Sequence, residues 1–238
     1  VGSYLSDRLR NIDGLKIQEI EKGTFSKVVL SRKEVIDLPN FDINSLFLKL
    51  ANSYPAAFTY CWFHPEIGLW MGATPETLLK VNGNKFQTVA LAGTQLYEGS
   101  EEVLWQNKEK EEQQYVTDYI VDSLSNSVSE VQISIPITIK AGNLLHLKTA
   151  IQGIIDKKTN LNNLVLLLHP TPAVCGLPKQ NAIDFIFTNE GYNREYYAGF
   201  LGEINYNDNF ETDLYVNLRC MKIQTYSEIN KATLYIGC

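Results

Sequence analysis

Several charged side chains in this sequence stand in patterns that simple solvation does not explain. Lys27 heads the run KVVLSR (27–32), which otherwise reads as a buried strand. Phe25, Lys27 and Val29 alternate onto one face, Ser26, Val28 and Leu30 onto the other. Desolvating an ammonium on such a strand is costly, so the lysine either snorkels at a sheet edge, has a partner, or works as an amine. Arg219 falls mid-strand in DLYVNLRCMKI (213–223), on the face opposite Leu214, Val216, Leu218 and Cys220. Its planar fork suits either an ion pair or a clamp on a carboxylate. In NKEKEEQQYVTDYIVDSL (107–124), Glu112 extends by one turn the apolar line of Val116, Ile120 and Leu124. A carboxylate continuing a buried stripe needs a cation, a donor or a metal, whereas Glu109 and Glu111 of the same run read as solvated.

Other signals are weaker alone. Glu76 follows Pro75 in GATPETLL (72–79), where a turn feeds a strand or a short helix, and a carboxylate there also suits a helix N-terminus. In TVALAGT (88–94), Gly93 and Thr94 offer backbone N–H groups to an anion. LLHLKTAIQG (144–153) places His146 and Lys148 on one strand face, where a lone histidine is more often a satisfied core residue than a catalyst.

The elements that would position these residues are short strands at 25–31, 57–63, 77–81, 85–91, 131–139, 144–152, 196–205, 213–223 and 232–236, many joined by Gly, Asn or Asp turns. Helical patterns cover 43–54, 101–125, 159–168 and 179–190, the last entered through Pro178. Helices grouped in this way, not alternating regularly with strands, predict an α+β fold with largely antiparallel sheets.

With 238 residues, 45% of them hydrophobic, the chain is long enough for a sizeable core. Its net charge of -6 argues against nucleic acid or an anionic membrane as a partner, and an anionic substrate would need local cations. Cys61, Cys175, Cys220 and Cys238 show no metal-binding spacing and read as free thiols of a reducing cytosol. No membrane-length apolar run or signal peptide is present in the sequence given.

Taken in order, KVVLSR, GATPETLL, VALAGT, HLKTAIQG, LHPTPAVCGLP, NREYYAGFLG and VNLRCMKI resemble the chorismate-utilising enzymes, from about Lys27 to the end. Within that family the resemblance is to the isochorismate-forming members, related to anthranilate synthase component I. It implies one large α+β domain over residues 1–238, two packed, mostly antiparallel sheets with peripheral helices. The implied reaction is a magnesium-dependent isomerisation in which water adds at C2 of chorismate and the C4 hydroxyl departs. Lys27 matches the family's general base, which must be an uncharged amine to activate water, and Glu76 the acid that protonates the leaving hydroxyl. Arg219 matches a carboxylate-gripping residue, Tyr197 an aromatic beside it, and His146 a ring-pocket histidine. Gly93, Thr94 and Gly237 fall at substrate-binding positions, and Glu112 matches a Mg²⁺ ligand. Lysine at position 27 and PTPAVCG in place of a PIKGT motif favour water over ammonia as nucleophile. A salicylate synthase, which adds pyruvate elimination, is the alternative.

The family usually continues past ATLYIGC into a glutamate-rich helix that supplies further metal-binding carboxylate. The sequence starts at Val1 and stops at Cys238. It is therefore expected to be a trimmed piece, with weak Mg²⁺ binding and impaired turnover, or a chorismate-binding fragment. A monomeric cytoplasmic enzyme of menaquinone or siderophore biosynthesis is expected of the parent.

Overall fold

The computed structural model describes residues 14–207, 211–225 and 229–237, so Val1 and Cys238 lie outside it. In chain order its first strands are β1 (Lys27–Val28), β2 (Ser31–Leu38), β3 (Phe58–His64), β4 (Gly68–Thr74), β5 (Thr77–Asn82), β6 (Lys85–Leu96) and β7 (Val128–Ile133). They are followed by β8 (Ile137–Ala141), β9 (Leu144–Ile155), β10 (Gly176–Leu177), β11 (Phe200–Glu203), β12 (Thr212–Val216), β13 (Cys220–Thr225) and β14 (Asn230–Gly237). The helices are α1 (Ile43–Ser53), α2 (Asn107–Leu124), α3 (Leu161–Leu168) and α4 (Lys179–Asn189), preceded by a helical segment over 14–21.

Period-two burial builds the sheets. On β9, Leu145, Leu147, Thr149 and Ile151 are buried, while Leu144, His146, Lys148 and Ala150 are half-buried. β9 runs antiparallel to β6, whose Phe86, Thr88, Ala90 and Ala92 are buried in turn. These two lie within a seven-stranded sheet of order β11-β12-β5-β6-β9-β7, with β8 also paired to β9. A five-stranded sheet has the order β2-β14-β13-β4-β3, and β1 and β10 form a separate two-stranded ribbon. Every recorded pairing is antiparallel.

One buried cluster joins both large sheets. Trp70 and Tyr235 of the five-stranded sheet share it with Leu78, Leu79, Phe86 and Ile151 of the other, under Val116 and Ile120 of α2 and Leu164 of α3. Each such large side chain contributes roughly 1.5–3 kcal/mol by leaving water. α1 is capped by Asp42, which accepts from the Ser45 amide at 2.8 Å, and its Leu46, Phe47 and Leu50 pack with Met71 and Ile223. α4 packs Ala182 and Ile186 on Phe25, Val28 and Leu30.

The α+β, antiparallel architecture is as expected from the sequence; several local assignments differ. The strand expected over 25–31 is only Lys27–Val28, and Phe25 turns away from Lys27 to join Val28 and Leu30 in the α4 cluster. The strand expected over 131–139 is two, β7 and β8; that expected over 196–205 shrinks to Phe200–Glu203. The strand expected over 213–223 is also two. β12 belongs to the seven-stranded sheet and β13 to the five-stranded one, so residues 217–219 cross between sheets.

Candidate active site

Two chain segments change sheets side by side. β4 of the five-stranded sheet ends at Thr74 and β5 of the seven-stranded sheet begins at Thr77, leaving Pro75 and Glu76 at the crossing. Pro75 has no N–H to give a ladder, which suits it to a break between strands. Alongside, Asn217, Leu218 and Arg219 cross from β12 to β13. The crossings are stitched together. Val216 N–H donates to Glu76 O at 2.9 Å, the Thr74 hydroxyl donates to Val216 O at 2.6 Å, and Ala73 N–H donates to Arg219 O at 3.2 Å.

Buried Asn217 fixes the second crossing. Its side-chain oxygen accepts from the Tyr60 hydroxyl and its amide donates to Tyr196 O at 2.7 Å. Arg219 follows with φ 49°, a left-handed conformation that a non-glycine residue holds only where its surroundings over-determine it. Arg219 is thus at a sheet-to-sheet turn and not mid-strand, because Asn217 takes the chain out of the ladder.

The seam opens into a cavity of about 1140 Å³. Lys27, Glu76, Thr94, Glu112, His146, Tyr197, Arg219 and Gly237 all line it. Among the described residues on its walls, with Lys27 set against its partner Glu112, the cations Lys16, Lys108, Lys148 and Arg219 outnumber the carboxyls Glu76 and Glu111. In an acidic chain, that local excess is what a small anion requires. Gly93 does not line the cavity. It occupies the register shift of β6 between Ala92 and Gln95, with φ 69°, and its carbonyl accepts from His146 Nδ1 at 3.0 Å.

Electrostatics differentiate the lining residues. Burial pushes the Glu76 carboxyl up to about 7, against the downward pull of Lys27, the Thr171 hydroxyl and Arg219. Glu76 is 8% exposed, so near neutrality it can carry a proton to donate. His146 is held below its usual value, first by burial; because a carbonyl only accepts, Nδ1 carries the proton. Lys27 Nζ lies 2.5 Å from Glu112 Oε1, an ion pair between β1 and α2. Tyr197 is buried and stacks on Tyr235, with ring centroids 5.3 Å apart. Gly237 lies against it: a Cβ there would stand 2.6 Å from the Tyr197 hydroxyl.

A divalent cation can be tested against these donors. Glu112 presents a carboxylate to the cavity, and one turn earlier Glu109, read from the charged run as solvated, does not line it but has Oε2 buried with no hydrogen-bond partner among the described residues. Two carboxylates on one helix face, one with an orphaned oxygen, fit a hard, oxygen-seeking ion. Among the described residues no group of three or more His, Cys, Asp or Glu side chains gathers for a metal. Substrate oxygens and water would have to complete its shell.

Sequence reasoning missed the Asn217–Tyr60 brace and a buried Glu190–Arg194 pair behind Lys27, although NREYYAGFLG contains the arginine. Tyr60 and Asn217 lie 157 residues apart, beyond the reach of periodicity, whereas Glu190 and Arg194 are only four apart and it is their burial that the local sequence does not signal. Lys148, already placed on the His146 face, turns out to line the cavity.

Comparison with known proteins bears on this geometry. Residues 14–238 match the family described as chorismate binding enzyme. The chain belongs to that family. It is 31% identical over 223 residues to isochorismate synthase EntC of Escherichia coli (strain K12), covering 89% of this chain and 55% of that protein. The solved structure of MenF, the menaquinone-specific isochorismate synthase from Escherichia coli, superposes with a TM-score of 0.76 at 25% identity, covering 92% of this chain and 53% of that one. Anthranilate synthase component I from Streptococcus pneumoniae shares the fold, with a TM-score of 0.84 at 20% identity over 98% of this chain and 52% of that one. The chain therefore spans about half the length of these relatives. No helix among the described residues is long and apolar enough to cross a membrane.

Proposed function

We propose that this chain forms the chorismate-isomerising core of an isochorismate synthase. The observation that carries the reading is the placement of Lys27, a carboxyl held protonated near neutrality at Glu76, and Arg219 on the walls of one cation-rich cavity. Chorismate carries two carboxylates; the Arg219 fork engages one of them, and Tyr197 and His146 wall the ring. Lys27, as a free amine, takes a proton from water as its oxygen bonds to C2. The ring π-electrons shift, the C4–O bond breaks, and Glu76 passes its proton to the departing hydroxyl, which leaves as water. One proton is gained by Lys27 and one lost by Glu76, so the step balances.

Magnesium is part of this proposal. Glu112, with Glu109 behind it, would hold the ion, which when bound supplies a positive charge for a substrate carboxylate. The Lys27–Glu112 pair means that an ion taken up by Glu112 competes with the lysine for one carboxylate.

Incubation with chorismate and Mg²⁺, followed by chromatography of the products, tests the reading. Isochorismate is expected to accumulate. Salicylate with an equivalent of pyruvate would assign the further elimination instead, and unchanged chorismate would overturn the proposal for this chain.

A further inference from the structure

Lys27 sits on neither large sheet. Its strand is two residues long and among the described residues pairs only with β10, through Lys27↔Leu177 and Val28↔Gly176. A ribbon this short does not hold an amine by its ladder alone. Behind it lies a buried ion pair with no part in the proposed chemistry. Glu190 caps the C-terminal end of α4, where the helix dipole disfavours a carboxylate, and is only 6% exposed. Its placement therefore answers to something other than helix stability.

The contacts show what that is. Arg194 Nε donates to Glu190 Oε2 at 2.7 Å, and its terminal nitrogen also binds Glu190 Oε1. The same guanidinium donates to Val29 O at 2.9 Å and to Val174 O at 2.8 Å. Glu190 Oε1 in turn accepts from Ser31 N–H at 2.7 Å and the Ser31 hydroxyl at 3.0 Å. The pair thus grips the chain at 29 and 31, just after Lys27, and at 174, just before the β10 partner. The Arg194 guanidinium also lies 5.7 Å from the ring of Tyr197, on the cavity wall.

We propose that Glu190 and Arg194 are positioning residues for Lys27: their buried pair fixes the main chain on both sides of the β1–β10 ribbon, and so the place of the amine in the cavity. The structural claim stands on these contacts; its catalytic consequence rests on the reading of Lys27 as the base.

The test uses Glu190→Gln, which keeps the side-chain shape and removes the charge. Acylation of Lys27 relative to Lys80 in the same molecule is read by peptide mass spectrometry, alongside amide exchange, kcat and KM for chorismate with Mg²⁺, and Tm. The proposal expects Lys27 acylation and exchange at 28–31 to quicken about tenfold while β9 amides hold their rates. kcat should fall about hundredfold, with KM within about threefold of the parent value. Should this variant not fold, Arg194→Lys, which keeps the charge but loses the planar fork, is read in the same way. An unchanged Lys27-to-Lys80 ratio in a folded variant, or exchange that quickens equally on β9, overturns the proposal. So does a kcat that survives in a variant whose parent is active. If the parent leaves chorismate unchanged, the functional reading fails, and the labelling and exchange results decide the positioning claim alone.

Discussion

The two sides of the cavity are built by different means. Glu76 and Arg219 stand on paired crossings between two large sheets, each continuous with ladders at both ends and bonded to its neighbour through main-chain groups, with the Thr74 hydroxyl and the Asn217 side chain as further braces. Lys27 stands on a two-residue ribbon whose stiffness comes from side chains, the Glu190–Arg194 pair behind it and Glu112 in front. Backbone hydrogen bonds tolerate a change of side chain; a buried ion pair does not, because removing one partner strands the other charge. Substitution at Glu76 or Arg219 is therefore expected to leave the geometry of that side intact, whereas the Lys27 side depends on a few named residues.

Changes at the reacting groups separate the two sides most strongly. Lys27→Ala is expected to lower kcat by about 10³-fold, while chorismate binding measured by calorimetry changes little. Comparable loss in both would place Lys27 in binding and not in proton transfer.

Glu76→Gln should lower kcat about hundredfold and yet stabilise the fold at high pH. The folded carboxyl titrates at about 7 against a usual 4.5, so the native state binds more protons between those values. Stability is then greatest below about pH 4.5, declines as pH rises to about 7, and is level above it. At pH 8 the glutamine variant is expected to gain roughly 3 kcal/mol in denaturant unfolding, and the pH-dependent decline should flatten. Parent kcat should fall above about pH 7 as the acid loses its proton.

Arg219→Lys keeps the charge but loses the fork, and should weaken chorismate binding by about 2 kcal/mol, roughly thirtyfold in Kd, with Tm nearly unchanged. A large fall in Tm would show that the crossing depends on the side chain and not on its main-chain bonds. The smallest effect is expected from Gly237→Ala. Its Cβ would lie 2.6 Å from the Tyr197 hydroxyl, so the ring must shift, costing about 1 kcal/mol of stability and a few-fold in KM.

Much of the architecture was legible because alternation and caps are local. β9 and the helices α1, α3 and α4 follow from period and punctuation within a few residues, while α2 starts six residues later than its expected 101 and β6 runs five residues past its expected end. The crossings were not legible. VNLRC keeps the apolar alternation of a continuous strand, and only the contact of Asn217 with Tyr60, 157 residues away in sequence, shows where the chain leaves one sheet for the other. β2 hid for a different reason: SRKEVIDL is exposed along most of its length and carries little apolar signal. β4 is buried at five successive positions and so lacks a polar face to mark it. The cavity residues were singled out one at a time by type and by family resemblance, and the structure adds that most of them share one space. Gly93 is the departure, serving His146 through its carbonyl where an exposed backbone N–H was expected.

The central claim is that the sheet crossing holds a proton-bearing carboxyl in the same space as the Lys27 amine. Difference infrared spectroscopy across a pH titration, comparing the parent chain with Glu76→Gln, reads that proton directly. A carboxylic-acid carbonyl band is expected that persists to near pH 7, titrates there, and is missing from the variant. A parent chain with no such band above pH 5, or a band that Glu76→Gln leaves in place, would contradict it.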